Sequence, residues 1–320
     1  MNKLLEVKNL TTQFNVQNKK INAVNDISFS LHNNEVLGIV GESGSGKSVT
    51  VRSVLRIINY PGKIKSGNIF FNGKDLLEIN EKKMSSIRGK EISMIFQEPS
   101  AALNPVITIG EQISEVLTQH LKLNKKQAKI ETIKLLKDVG IPAPELRYND
   151  YPHQLSGGMQ QRCVISVALA CNPKLLIADE PTTSLDVTIQ AQILSLIVGK
   201  VKHLKIGLIF ITHDIGVVSQ IADKIIVMYA GKIVEEGPTK QIINDPKHPY
   251  TIELLESLPT LSTKVGVKLK EIKGQVPDMF NLPSGCSFHP RCSYAKQICK
   301  TTIPSLINIS NNRYSSCLLH

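Results

Sequence analysis

The chain has no tryptophan, and Phe, Tyr and Trp together make up only 5% of its 320 residues. So few aromatics leave little material for a surface that stacks single-stranded bases. No apolar run approaches the ~20 residues that a membrane-spanning helix requires. The first residues, Met1-Asn2-Lys3-Leu4-Leu5-Glu6-Val7-Lys8, lack the apolar centre of a secretory leader, so a cytoplasmic protein is expected, free to dock on a membrane partner. There is no internal repeat, no low-complexity stretch and no close C-x₂-C pair of the zinc-ribbon kind. Acidic residues are in deficit: 27 Asp and Glu against 38 Lys and Arg leave a net charge of +11. Nucleic acid or an anionic membrane leaflet would accept that excess. Its basic residues come as scattered pairs, such as Lys19-Lys20 and Lys125-Lys126, and form no stripe, so a soluble surface explains them most simply.

What is present centres on Gly41-Glu42-Ser43-Gly44-Ser45-Gly46-Lys47-Ser48. The apolar run Val36–Val40 precedes this loop, and Val49-Thr50-Val51-Arg52-Ser53-Val54-Leu55 follows it as a helix. Strand, glycine loop and helix form the context in which a G-x-x-x-x-G-K-[ST] match is meaningful. Glycines let consecutive backbone N–H groups point inward at phosphate oxygens, and the helix adds its positive end. Lys47 can reach the terminal phosphates, and the Ser48 hydroxyl can ligate Mg²⁺. A nucleoside triphosphate is the expected ligand.

Along the chain, Leu4–Leu10 and Ile27–Leu31 alternate as strands. Phe14 falls between them in a polar stretch, where it would either stack on a base or fill ordinary packing space. Asn68–Lys74 reads as a strand running into an Asn-Gly hairpin turn. Glu91–Phe96 reads as a buried strand that delivers Gln97 beyond its carboxyl end, where α/β sheets place ligands. From about Val106 to Asp150 only helical periodicity is found. Ile109, Ile113, Val116 and Leu117 mark one apolar face; Ile130, Ile133, Leu135, Leu136 and Val139 mark a second, which Pro142 and Pro144 end. Ser156-Gly157-Gly158 opens the next helix, as a second phosphate site or as an ordinary cap. Leu175–Glu180 is a buried strand closing in two carboxylates, Asp179 placed for Mg²⁺ and Glu180 for activating water. A helix is expected over about Val187–Leu204, and a further buried strand, Gly207–Thr212, delivers His213. Ile225–Gly237 reads as a hairpin that closes the core.

These elements together resemble the ATP-binding subunit of an ABC transporter. The Walker A loop is Gly41–Ser48, the Q-loop Gln97, the signature Leu155-Ser156-Gly157-Gly158-Met159-Gln160, Walker B ends at Asp179-Glu180, the D-loop is Ser184-Leu185-Asp186, and the switch is His213. The phrases Gln97–Pro105, Tyr151–Gln154, His248-Pro249-Tyr250-Thr251 and Gly285–Cys292 resemble the oligopeptide/dipeptide/nickel importer subfamily, over nearly the whole chain. The resemblance implies an α/β P-loop NTPase (RecA-like) core with an antiparallel β subdomain, a helical insertion subdomain at about 106–165, and a small cysteine-containing extension. It places the nucleotide-binding domain at 1–240 and the extension at 241–320. ATP would be bound by Phe14, Gly41, Ser43, Gly44, Ser45, Gly46, Lys47, Ser48 and Val49, and Mg²⁺ by Ser48, Gln97 and Asp179. Glu180, His213 and Gln97 would carry catalysis. Gly157 and Asp186 would also bind ATP, and Ser156 and Gly158 would cap the γ-phosphate of the ATP held by a second, identical or related, ATPase subunit. Two permease subunits, and an extracytoplasmic solute-binding protein acting through them, complete the implied assembly at the cytoplasmic face of the membrane; no nucleic acid is implied. The implied cargo is an oligopeptide or dipeptide, with nickel or another small solute as the alternative. A repair or translation ATPase of the same class is the rival function, although Gln97 and Ser156 lie too close for an inserted coiled coil.

Cys163 and Cys171 sit in apolar helical patterns and are expected in the core. The other four follow as Cys286-x₅-Cys292-x₆-Cys299-x₁₇-Cys317. Some peptide-importer subunits of the family carry a 4Fe–4S cluster at similar spacing, so a cluster is one reading. Zinc, with His289 or His320 as rival ligands, and free thiols are the others.

Overall fold

The computed structural model describes residues 3–17, 19–183, 185–257, 272–310 and 312–320. Its first elements are β1 (Lys3–Val16), β2 (Lys19–His32), β3 (Val36–Val40), α1 (Lys47–Val54), β4 (Gly62–Phe71), β5 (Lys74–Asp75) and α2 (Glu81–Ile87). There follow β6 (Ile92–Ile95), α3 (Pro99–Ala102), α4 (Ile109–Leu121), α5 (Lys125–Asp138), α6 (Pro144–Arg147), α7 (Gly157–Leu169), β7 (Leu175–Asp179) and α8 (Val187–Leu204). The chain continues through β8 (Gly207–Thr212), α9 (Ile215–Ile221), β9 (Lys224–Tyr229), β10 (Lys232–Pro238), α10 (Thr239–Asn244), α11 (Pro249–Glu256), β11 (Ile307–Ser310) and β12 (Arg313–Ser315). They divide between two compact units, one of Met1–Leu4, His32–Asn34 and Glu78–Ile209, the other of Leu5–Leu31, Glu35–Leu77 and Phe210–His320.

The unit built around Glu78–Ile209 sets a helical stretch beside short parallel strands. β6 and β7 pair in parallel, Ile92 opposite Leu175 and Ile95 opposite Ala178, and every residue of both is buried. Burial on both faces is why these strands read as continuous apolar runs and not as alternation. Strand β6 stops one residue short of expectation, because Phe96 is turned outward and 38% exposed. Helix α4 starts at a capping box in which Thr108 and Glu111 satisfy each other's backbone N–H groups, and Asn124 and Gln127 do the same for α5. Ile109, Ile113 and Leu117 are fully buried as expected, whereas α5 buries Leu136 and Val139 of its expected face but not Ile130. Its buried stripe is Ala128, Thr132 and Leu136, spaced by four, with Val139 just beyond it, and Ile130 is 61% exposed. The Ser114 hydroxyl lies 2.9 Å from that of Thr132 and 3.1 Å from that of Tyr148. A satisfied polar seam therefore sets the phase of α5.

The second unit holds an antiparallel sheet in the order β2-β1-β4-β5. Strand β1 runs well past Leu10, so Phe14, expected off any strand, is a strand residue opposite Gly62. The turn after β4 has Asn72 at φ 48° and Gly73 at φ 76°, the left-handed pair of a tight hairpin. A further set of strands follows the order β11-β12-β10-β9-β3, with β3 and β9 parallel and the rest antiparallel. The β9–β10 hairpin does not close this edge, because β12 and β11 from the end of the chain are added to it. Buried Arg313 fixes the addition: its guanidinium donates to Glu235 at 3.0 Å, and Glu235 also accepts the N–H groups of Lys247 and His248, both at 2.9 Å.

Candidate functional site

The Gly41–Ser48 loop lies between β3 and α1 in the second unit. Gly46 caps α1 at φ 101°, a region closed to most side chains, and a Cβ there would sit 2.4 Å from the Ala23 carbonyl. Gly44 also has φ +78° but faces open space, which leaves its backbone approachable by a ligand. Lys47 is only 4% exposed, and its ammonium donates to the carbonyls of Gly41 at 2.7 Å and Glu42 at 3.0 Å. The Ser45 hydroxyl is buried with no hydrogen-bond partner among the described residues. A buried cation, the positive end of α1 and an unsatisfied hydroxyl on one curled loop fit the phosphates of a nucleotide. Ser43 is exposed, and Ser48 and Val49 are half-buried in this loop and helix.

Glu42, the second residue of the loop, is fastened from the far end of the chain. Arg291 grips its carboxylate at 2.7 and 3.0 Å, and the Glu42 N–H donates to the Tyr250 hydroxyl at 2.8 Å. Tyr229, Tyr250 and Phe288 pack as an aromatic cluster with centroids 4.7 to 5.3 Å apart, and the Arg291 guanidinium lies over Tyr229 and Phe288. Burial works to lower the Arg291 pKa, but its hydrogen bonds to Glu42 and Tyr229 hold it above its ordinary value. Sequence reasoning missed this arrangement, since nothing in local spacing links positions 42 and 291. Phe14 packs with Ile58 around Gly62, where an added Cβ would meet the Phe14 ring at 2.5 Å. His213 follows β8 and is exposed.

The other unit holds the carboxylates. Asp179 closes β7 fully buried, and Glu180 follows with φ 46°, an uncommon left-handed setting for a non-glycine residue. One Glu180 oxygen accepts from the Gln97 amide at 3.2 Å and from the Thr183 hydroxyl at 3.0 Å. Gln97 and Glu180 are therefore together, 83 positions apart, and Thr183 is a partner that the i, i+3 spacing could have suggested. Ser156 caps α7 by accepting the Met159 N–H at 3.4 Å, and Asp186 caps α8 by accepting the Ile189 N–H at 2.9 Å. Ser156 thus has the local role that was open to it as a helix cap, and the cap at Asp186 is a further finding. Ser156 and Gly157 remain exposed, with Gly158 half-buried against Ile189. Ser184 lies outside the described residues.

The chain's residues 24–183 match the family model described as ABC transporter. The chain belongs to the ABC transporter family. A second model, oligopeptide/dipeptide transporter, C-terminal region, matches residues 234–299 of this ABC protein. Relatives include the oligopeptide transport ATP-binding protein OppD of Bacillus subtilis (strain 168), 51% identical over 99% of this chain and 89% of that protein. The dipeptide transport ATP-binding protein DppD of Haemophilus influenzae is 48% identical over 97% of this chain and 94% of its own length. Among solved structures, a dimeric post-hydrolysis state of the ATP-binding cassette MJ0796 with ADP and Pi superposes with a TM-score of 0.66 and 26% identity, covering 73% of this chain and 98% of that one. The cassette cbiO1 of Clostridium perfringens gives a TM-score of 0.64 and 29% identity, over 77% and 92%. The expected P-loop NTPase fold is thereby established, and the chain is an ATPase subunit of the ABC type. Among the described residues, no helix is long and apolar enough to cross a membrane.

Cys163 and Cys171 are buried, as expected, and burial pushes the Cys163 thiol up to about 12. In the tail, burial raises the Cys286 and Cys317 thiols and takes Cys292 to about 11; neighbouring thiols add to each shift. Among the described residues no three His, Cys, Asp or Glu side chains converge on a point that would hold one metal ion. Of the two histidines, His289 has Nδ1 2.9 Å from the Cys286 carbonyl and His320 has Nε2 3.0 Å from the Lys247 carbonyl, so one nitrogen of each ring is engaged by backbone.

Proposed function

We propose that this chain is the ATP-hydrolysing motor of an importer for oligopeptides or dipeptides, working at the cytoplasmic face of the membrane with two permease subunits and a second ATPase subunit. The observation that carries the reading is the second family match: a peptide-transporter C-terminal region follows a complete set of ATPase motifs in one chain. An extracytoplasmic solute-binding protein would hand the peptide to the permease. In this reading Gly41–Val49 hold the triphosphate, with Lys47 at its terminal phosphates and Phe14 toward the base. Ser48, Gln97 and Asp179 would hold Mg²⁺, which neutralises phosphate charge when bound. Glu180 would take the proton of the attacking water, with Gln97 and Thr183 fixing its carboxylate, and His213 would sense the γ-phosphate. Gly157 and Asp186 would also bind ATP, and Ser156 and Gly158 would cap the γ-phosphate of the partner subunit's ATP. The nucleotide-binding domain is taken as 1–240, with its helical part at about 106–165, and the extension as 241–320.

The test uses the assembled transporter. Glu180→Gln keeps ATP binding and lowers turnover by about 10²–10⁴-fold, the usual range for loss of a general base. Turnover at the wild-type rate would remove Glu180 from that role. Uptake of labelled peptides, compared with nickel, by cells with and without the chain decides the cargo.

We further propose that Cys286, Cys292, Cys299 and Cys317 bind an iron–sulfur cluster that pins the tail. Support comes from the gathering of four cysteines in the tail and from the Cys286 N–H donating to the Cys299 carbonyl at 2.9 Å; a cluster does not need the thiols to converge on one ion. Iron and sulfide analysis after anaerobic purification tests this; colourless, iron-free protein rejects it.

A further inference from the structure

We infer that Arg291 is a positioning residue for nucleotide binding: by neutralising and holding Glu42, it makes the end of the chain part of the phosphate loop. The inference rests on the reading of Gly41–Ser48 as the triphosphate site. A carboxylate inside such a loop is a problem that needs an answer, because it repels the polyanion that the loop must accept. Here Arg291 supplies it. The Arg291 side chain is 4% exposed and meets both oxygens of Glu42, at 2.7 and 3.0 Å, in the two-pronged geometry that is the stronger form of this pair. Its remaining Nε donates to the Lys273 carbonyl at 2.9 Å, so the guanidinium is fixed from both sides.

The same residue is held through its backbone. The Glu42 N–H donates to the Tyr250 hydroxyl at 2.8 Å, and its carbonyl accepts both the Lys47 ammonium at 3.0 Å and the Ser45 N–H at 3.2 Å. Every polar group of Glu42 is therefore committed, and two of its partners come from beyond position 249. A displaced Glu42 would carry the Lys47 ammonium with it and leave an uncompensated negative charge beside the phosphates. Arg291 thus acts on ATP only through Glu42, by charge and by geometry together.

The experiment measures binding of a fluorescent ATP analogue to the full-length chain, with thermal unfolding as a check on folding. Arg291→Met is expected to weaken binding about tenfold, as the uncovered carboxylate repels the nucleotide. Glu42→Gln, which keeps an acceptor for Arg291 but removes the charge, is expected to bind as tightly as wild type or more tightly. The double variant should return to within about threefold of wild type. A merely structural strut would weaken both single variants alike, and that result, or wild-type binding by Arg291→Met, overturns the inference. Should Arg291→Met fail to fold, Glu42→Gln still decides: weaker binding by that variant overturns it. Lys47→Ala separates the two levels of the argument. If it loses binding while Arg291→Met does not, only the positioning role fails; if Lys47→Ala itself binds normally, the loop reading fails.

Discussion

At the scale of single residues, the chain places its unusual chemistry where backbone geometry is also unusual. Glu180 sits at φ 46°, a setting that costs a non-glycine residue of order 1–3 kcal/mol, and it is kept there by the bonds of Gln97 and Thr183 to its carboxylate. Cys163 illustrates the opposite case, a titratable group with no part in the proposed chemistry. Burial raises its thiol from 9.0 to about 12, so the folded chain favours the protonated form. The stabilisation is complete below pH 9, and it is lost as pH rises toward 12, because the unfolded thiol ionises first and the unfolded state binds fewer protons. Urea unfolding at pH 8 and pH 10 should show wild type losing on the order of 1 kcal/mol more than Cys163→Ala over that interval. Identical losses in the two proteins would mean that burial does not shift this thiol.

Among the elements, helix ends were legible and helix phase was less so. Thr108, Ser156 and Asp186 are short polar side chains that accept N–H groups three residues on, a local rule that spacing reveals. On α5, apolar character alone finds Leu136 and Val139 in the core but also points to Ile130, which is exposed. Thr132 takes a core position through its hydroxyl contact with Ser114, and Ile130 is left in solvent. The contrast makes a direct test. Leu136→Ala, at a fully buried site, should cost about 2–5 kcal/mol of unfolding free energy, and Ile130→Ser should stay within about 0.5 kcal/mol of wild type. Equal costs, measured by urea denaturation, would reject the observed phase. Strands β6, β7 and β8 declared themselves as continuous apolar runs. Strand β12 did not, since three residues carry no period and its place is set by Arg313 reaching a glutamate 78 positions away.

For the whole molecule, the ATPase motifs were legible because each is a contiguous phrase, whereas the tie between Glu42 and Arg291 spans 249 positions and leaves no local trace. The motifs also divide between the two compact units, with the phosphate loop and His213 in one, and Gln97, Asp179, Glu180 and the Ser156–Gly158 turn in the other. Each occurs once per chain. The exposure of Ser156 and Gly157 leaves that turn available to another molecule. On the proposed reading, a chain with one phosphate loop and one exposed serine–glycine turn would be half of a reciprocal arrangement, in which each subunit would close over the nucleotide of its mate. ATP would then bind the pair better than the separated subunits, and removal of the γ-phosphate would release them, which is how ligand chemistry drives a conformational cycle. The Glu180→Gln protein, unable to finish hydrolysis, should therefore accumulate as a pair in MgATP, either with itself or with the related subunit of its transporter. Sedimentation should show twice the mass with ATP and a single subunit's mass with ADP, and Ser156→Arg should abolish the pair while leaving nucleotide binding by the single chain intact. A chain that binds ATP but stays single, both alone and with the related subunit, would rule out the reciprocal arrangement.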